Sequence, residues 1–259
     1  MKIILTIFFI AALLYCLLLI AAKFFAASLM FQPPARTYVK TAEHKTFAMP
    51  DGTELTGLFL QADKPVCNLF YCHGNGEDLG VIYPLLNEFR KRGISVFSYD
   101  YPGYGYSYKK IKPSEKKLYE SADAAWKFAS QKLGFSPENT VLMGFSLGSA
   151  PVSLLGSKIE NWRGIILAGG LANGVKTVLP IDIIPWKILD NASKVSKIKS
   201  PLLLIHGTRD FIVAPHNAKE NFAAAKCPKQ LVWLEGFYHN DIPSSPEYWN
   251  SIMSFINKK

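Results

Sequence analysis

Apolar and polar positions follow two rhythms along this chain, after an opening stretch that has neither. Residues 3–22 carry no charge, and Phe24, Phe25, Leu29, Met30 and Phe31 prolong the apolar run beyond Lys23. About twenty such residues are enough to cross a bilayer as a helix. Positions 46–48 and 53–60 flank Met49-Pro50-Asp51-Gly52, whose Pro and Asp-Gly predict a hairpin. Positions 66–72 are apolar except for Asn68, the pattern of a strand covered on both faces. Leu79, Ile82, Tyr83, Leu86 and Phe89 then recur on one helical face, with Gly93 as a stop.

The same alternation continues to the end. Strands are expected at 94–99, 140–143, 164–168, 201–205 and 231–234. Helices are expected at 115–133, capped by Ser114 and stopped by Gly134, and at 149–157, 215–225 and 248–256. Strands alternating with helices imply a largely parallel sheet covered on both faces, with an antiparallel start. Residues 169–200 break the rhythm: Val178, Leu179, Ile181, Ile183, Ile184, Pro185, Trp186 and Ile188 show no period. The segment reads either as a short lid walling a pocket or as an ordinary crossover helix with an apolar face.

This gives a transmembrane anchor at 1–30, a polar tether with Pro33 and Pro34 at 31–45, and one α/β domain at 46–259. A cleaved signal peptide competes for the first segment, since Ala21, Ala22, Ala26 and Ala27 offer small residues for cleavage. The apolar run is longer than a usual signal core, which favours the uncleaved anchor. Tyr15 before Cys16 is too bulky for a lipoprotein cleavage site. Lys2 stands against Lys23, Arg36 and Lys40, so the sidedness of the span is not encoded clearly.

The net charge of +9 comes from dispersed lysines, among them Lys109, Lys110, Lys112, Lys116 and Lys117, then Lys194, Lys197 and Lys199, and finally Lys258 and Lys259. That basicity suits an anionic lipid surface and equally an ordinary solubilising surface. Zinc spacings, an RNP-type run and a basic recognition helix are all missing, which argues against nucleic acid as a partner. Outside the anchor only Cys67, Cys72 and Cys227 remain; Cys67 and Cys72 share one expected strand, so no disulfide framework is implied and the redox compartment stays open.

The candidate chemistry gathers at loops after strands. Gly144-Phe145-Ser146-Leu147-Gly148 lies between an expected strand and helix, where two glycines let the backbone crowd around a serine held in a strained turn. Strand ends of a parallel sheet share one edge, and ligands bind there. Three further loops reach it: His73 to Gly76, Arg209-Asp210, and His239. A hydroxyl, a carboxylate and an imidazole in the order Ser146, Asp210, His239 suit nucleophilic acyl transfer, with His239 as base and Asp210 orienting it. The oxyanion would need backbone donors, expected from Leu147 and from Asn75, with Gly74 allowing the substrate close. Gly144 and Gly148 support the elbow.

Other groups have plainer roles. His73 and His206 are read as braces of their loops, Asp241 as a turn cap, Asp100 as the holder of its tyrosine loop, and His216 as solvated. Asp182 and Asp190 remain alternatives to Asp210 as the acid. The tyrosines of 99–108 are read both as an acyl-pocket lining and as loop packing. No histidine pair has metal-ligand spacing, so no metal is expected.

With YCHGNGEDLG (71–80), YDYPGYGYS (99–107), GFSLGSA (144–150), HGTRD (206–210) and YHND (238–241) in view, the chain resembles the α/β-hydrolase superfamily over almost everything from about position 46 onward. The segments look like those of membrane-anchored, short-lidded α/β-hydrolase-domain proteins. That resemblance implies a cofactor-free serine hydrolase acting on esters, thioesters or lipids; the group also includes depalmitoylases and proteins labelled serine aminopeptidases. Pro215 lies five residues after Asp210 where the family often has a proline at four, which puts the geometry of that loop in question. A serine elbow argues against the dehalogenase and epoxide hydrolase branches. The expected function is cleavage of carboxylic esters or thioesters through an acyl-enzyme. An aminopeptidase-type enzyme and a catalytically silent, anchored interaction protein are the rivals.

Overall fold

The computed structural model describes residues 2–107, 111–178 and 185–257. Among these residues eight strands form one sheet in the order β1-β2-β4-β3-β5-β6-β7-β8. The hairpin of β1 (His44–Ala48) and β2 (Glu54–Leu60) is antiparallel, and β2 pairs antiparallel with β4 (Ile94–Tyr99). From β4 onward the pairing is parallel through β3 (Cys67–Cys72), β5 (Thr140–Phe145), β6 (Gly164–Ala168), β7 (Leu202–Gly207) and β8 (Lys229–Leu234). The antiparallel start and parallel body are those expected from the sequence.

Side-chain alternation along the strands splits the core in two. On one face Phe70, Phe97 and Leu142 meet the helices Glu115–Lys132 and Ser149–Lys158 through Ala122, Ala125, Trp126, Val152 and Leu155. On the other, Leu69, Tyr71 and Val141 meet the helices Leu79–Lys91 and Pro246–Asn257 through Ile82, Leu86, Phe89, Tyr248 and Ile252. In chain order we label the helices α1 (Lys2–Met30), α2 (Leu79–Lys91), α3 (Glu115–Lys132), α4 (Ser149–Lys158), α5 (Gly174–Val178), α6 (Asn191–Val195), α7 (His216–Ala224) and α8 (Pro246–Asn257). Asp78 caps α2 through the N–H groups of Gly80 and Val81, and Ser114 caps α3 through that of Lys117.

The apolar opening forms α1, and its segment Lys2–Ile20 is long and apolar enough to cross a membrane. Residues 31–38 are more ordered than a polar tether. Phe31 is buried in the core, and the Gln32 N–H donates to Asn75 Oδ1 at 2.8 Å. The Thr37 N–H and hydroxyl both bond the Asp78 carboxylate, the former at 2.8 Å, and the Tyr38 hydroxyl donates to Asp100 Oδ2 at 2.5 Å. This stretch therefore forms a strap across the loops after β3 and β4.

Among the described residues of 169–200 the structure has two short helices, α5 and α6. Met30 packs beside Gly174 at the start of α5. Leu179, Ile181, Asp182, Ile183 and Ile184 lie outside the described residues, as do Tyr108, Lys109, Lys110, Lys258 and Lys259.

Candidate active site

The apolar run of β5 ends at Phe145, and the chain reverses into a short 3₁₀ turn, Ser146–Gly148, that leads directly into α4. Ser146 has φ of 51°, in the left-handed region that L residues avoid. Such a conformation costs of order 1–3 kcal/mol and persists only where the surroundings enforce it. The enforcement is visible: a Cβ on Gly144 would overlap the Gly148 carbonyl, and one on Gly148 would overlap the Cys72 carbonyl at the end of β3. The two glycines permit the crowding that lifts Ser146 out of the strand. The Ser149 hydroxyl donates to the Ser146 carbonyl at 2.6 Å and secures the turn.

Asp210 follows β7 and His239 follows β8, so three neighbouring regions of one sheet edge supply the cluster. His239 Nδ1 lies 2.6 Å from Asp210 Oδ2, and Nε2 lies 2.9 Å from Ser146 Oγ. An ionised carboxylate only accepts, so Nδ1 carries the proton and Nε2 is left to accept from the serine hydroxyl. All three side chains are buried. The structure thus brings together Ser146, Asp210 and His239 from positions 93 and 29 residues apart in the chain.

Burial pushes the Asp210 carboxyl up, but hydrogen bonds from His206 and His239, the His239 charge and the Val213 N–H outweigh it and hold the group well below the ordinary carboxylate range. Oδ1 accepts from the Ile212 and Val213 N–H groups at 3.0 and 2.8 Å. His206 Nε2 faces two acceptors, Asp210 Oδ2 at 3.2 Å and the Val213 carbonyl at 2.7 Å, and is therefore the protonated nitrogen. It braces the acid loop, as expected. The displaced proline does not disturb this loop, because Pro215 forms the N-cap of α7 while Asp210 still meets His239.

Asp190, the described alternative acid, instead caps α6 through the Ser193 N–H. Asp241 accepts from the Tyr238 N–H at 2.7 Å and serves the turn before His239. His216 is exposed at the start of α7.

The opposite wall of the site is the loop after β3. His73 bonds the Gly74 carbonyl through Nδ1 at 2.8 Å and stacks on Tyr101 with ring centroids 4.0 Å apart. Burial lowers its pKa to about 4, so it is neutral near pH 7 and acts as a brace. The Tyr101 hydroxyl donates to the His73 carbonyl at 2.6 Å, and that of Tyr104 to Asn75 Oδ1 at 2.7 Å. Asp100 holds the tyrosine loop through its carbonyl, which accepts from Ser107 Oγ at 3.0 Å, and its carboxylate, which accepts from the Tyr106 N–H at 3.4 Å; the carboxylate also accepts from the Leu79 N–H at 3.0 Å and so ties the loop to the start of α2. The tyrosines Tyr99, Tyr101 and Tyr104 are buried and pack edge to face, which bears out their reading as loop packing.

Sequence reasoning missed the strap and one acid. Glu77 accepts the Gly74 N–H at 2.6 Å. Its signal was present in Gly74-Asn75-Gly76-Glu77, a carboxylate three residues after a backbone donor in a tight turn.

A sheet of this order, carrying a serine on a strained turn after its fifth strand and an acid and a histidine after its last two, defines the α/β-hydrolase fold. A family model described as "Serine aminopeptidase, S33" matches residues 63–192, half of the chain. The chain belongs to this family, within the α/β-hydrolase superfamily. Alpha/beta hydrolase domain-containing protein 17C of Mus musculus is 36% identical over 199 residues, covering 73% of this chain and 59% of that protein. Protein 17B of Homo sapiens is 33% identical over 199 residues, covering 74% and 66%. The chain therefore spans about three fifths to two thirds of the length of these relatives. Among solved structures, the Pyrococcus furiosus esterase Pf2001 superposes with a TM-score of 0.71 at 19% identity, over 87% of this chain and 98% of that one. The Pyrococcus horikoshii acylaminoacyl peptidase gives 0.65 at 15% identity, over 84% and 41%. At such identities the two structures support the fold alone.

Proposed function

We propose that this protein is a serine hydrolase that cleaves carboxylic esters or thioesters through an acyl-enzyme, with a lipid or acylated molecule as substrate. The observation that carries the proposal is the continuous contact from Ser146 Oγ through both nitrogens of His239 to Asp210, at 2.9 and 2.6 Å.

Ser146 Oγ attacks the acyl carbon while His239 Nε2 takes its proton; on collapse of the tetrahedral intermediate, His239 returns that proton to the leaving oxygen or sulfur. Water then repeats the sequence and frees the acid. Asp210, kept ionised, stabilises the imidazolium formed at each step. The N–H groups of Leu147 and Asn75 serve as oxyanion donors, Leu147 lying in the turn that opens α4 and Asn75 in the braced loop opposite. The Gly74 N–H is taken by Glu77, which is consistent with Asn75 as the donor from that loop.

The apolar helix α1 supports the choice of substrate. Phe31 and Gln32, directly after it in the chain, pack at the site's edge, so an anchored α1 would hold the site near the bilayer, where long acyl chains reside. The test is hydrolysis of p-nitrophenyl esters and acyl-thioesters of graded length by the full chain and by Ser146→Ala. We expect turnover that the substitution abolishes; turnover that survives it would refute the mechanism.

Peptidase action, in particular release of an N-terminal residue, is the second reading, favoured by the description of the matching family. Aminoacyl amides assayed beside the esters separate the two. Inertness of the purified protein toward every serine-directed probe would favour a silent, anchored interaction module.

A further inference from the structure

Glu77 is a carboxylate inside the site for which the triad has no use. Its Oε2 accepts the Gly74 N–H at 2.6 Å. A Cβ placed on Gly74 would lie 2.8 Å from that oxygen and 2.9 Å from Phe145 Cδ1, so both the acid and the residue preceding Ser146 crowd Gly74. The Phe145 ring in turn lies against His239, with centroids 5.0 Å apart. The next residue, Asn75, is held by its side chain: Gln32 N–H and Tyr104 OH both donate to Oδ1. Gly74 and Asn75 are thus gripped at the backbone of one and the carboxamide of the other.

Resting on the hydrolase reading above, we propose that Glu77 is a positioning residue: by capturing the Gly74 N–H it fixes the loop so that the Asn75 N–H is the donor presented to the oxyanion. The titratable groups facing Glu77 are His239 after β8, Tyr71 of β3 and Tyr248 of α8. Burial holds both phenols far above their ordinary range, so they stay protonated at working pH. Behind His239 stands Asp210, and behind Asp210 stands His206. Burial raises the Glu77 pKa, and the Gly74 hydrogen bond and the His239 charge act against that rise. The hydrogen bond to Gly74 is the contact the proposal uses.

The experiment compares the full chain in detergent with Glu77→Ala and Glu77→Gln, using a p-nitrophenyl ester across a pH series and thermal melting as a control for folding. Loss of a single oxyanion donor costs about 10²–10³ in turnover, so a donor left loosely placed is expected to cost about 10-fold in kcat with KM little changed. Glu77→Gln keeps an oxygen that accepts the Gly74 N–H and should recover most of that loss. Were Glu77→Ala to fail to fold, Glu77→Met, which fills similar space without accepting a hydrogen bond from the Gly74 N–H, would take its place and should show the same loss in kcat. Glu77→Ala, or Glu77→Met in its place, turning over within about twofold of the parent, a loss confined to KM, or no recovery of kcat in Glu77→Gln would overturn the proposal. A parent without Ser146-dependent turnover would instead overturn the hydrolase reading itself, and this proposal with it.

Discussion

At the scale of single residues, Ser146 is held in a backbone conformation it would not choose, and the strain is maintained by two glycines that admit backbone where a side chain would stand. His239 and Asp210 complete the arrangement by hydrogen bonding, with Asp210 kept ionised by the donors around it. Asp210→Asn retains the shape but offers an amide where an anion stood, so it permits the wrong imidazole tautomer. We expect a fall in kcat of about 10³–10⁴, read with a short-chain ester, and no comparable rise in KM; a drop of less than tenfold would assign the acid elsewhere. These residues could be read from the chain because the elbow is a local signal and because the order of the three groups is set by strand succession. Glu77 escaped for a physical reason: its partner is a backbone N–H, and nothing in a residue's identity reveals which donors its neighbours leave free.

At the scale of elements, the strap of residues 31–38 and the loops after β3 and β4 form one buried polar network around Asp78 and Asp100. Asp100 accepts from Tyr38 and from the Leu79 N–H, and burial, the largest influence, raises its pKa to about 7 despite these bonds. An acid whose pKa is higher when folded than the ordinary value of about 3.9 favours the folded state at low pH, and that contribution is lost as pH rises from about 4 to about 7. The melting temperature of Asp100→Asn should therefore show a smaller decline, or a larger rise, than the parent's between about pH 5 and 7.5. Parallel curves for the two proteins would show that Asp100 does not titrate in this window. Hydrophobic periodicity foretold the strands and helices within a few residues, since each buries its own face. The strap was unreadable because its partners lie 41, 43 and 62 residues away and its composition of Pro, Thr and Arg is that of an ordinary linker. The segment 169–200 lacked a period because short helices such as α5 and α6 are fixed by packing rather than by an amphipathic repeat.

At the scale of the whole molecule, a parallel sheet gathers side chains from distant positions at one edge, and the chain leaving α1 crosses that same edge before entering the first hairpin. Phe31 in the core and Gln32 on Asn75 place the end of the apolar helix beside the site. If α1 is an uncleaved anchor, the purified protein should begin at Met1, resist extraction by alkaline carbonate and require detergent. A chain lacking residues 1–30 should leave the membrane fraction. A mature N-terminus between positions 22 and 31 would instead identify the segment as a signal peptide.

The most direct measurement is the intact mass of the full chain after exposure to a fluorophosphonate, followed by peptide mapping of any adduct. A single phosphonylation located on Ser146, absent in Ser146→Ala and strongly slowed by His239→Ala, is the expected result. An unmodified chain, or an adduct on another residue, would contradict the assignment of Ser146 as the nucleophile.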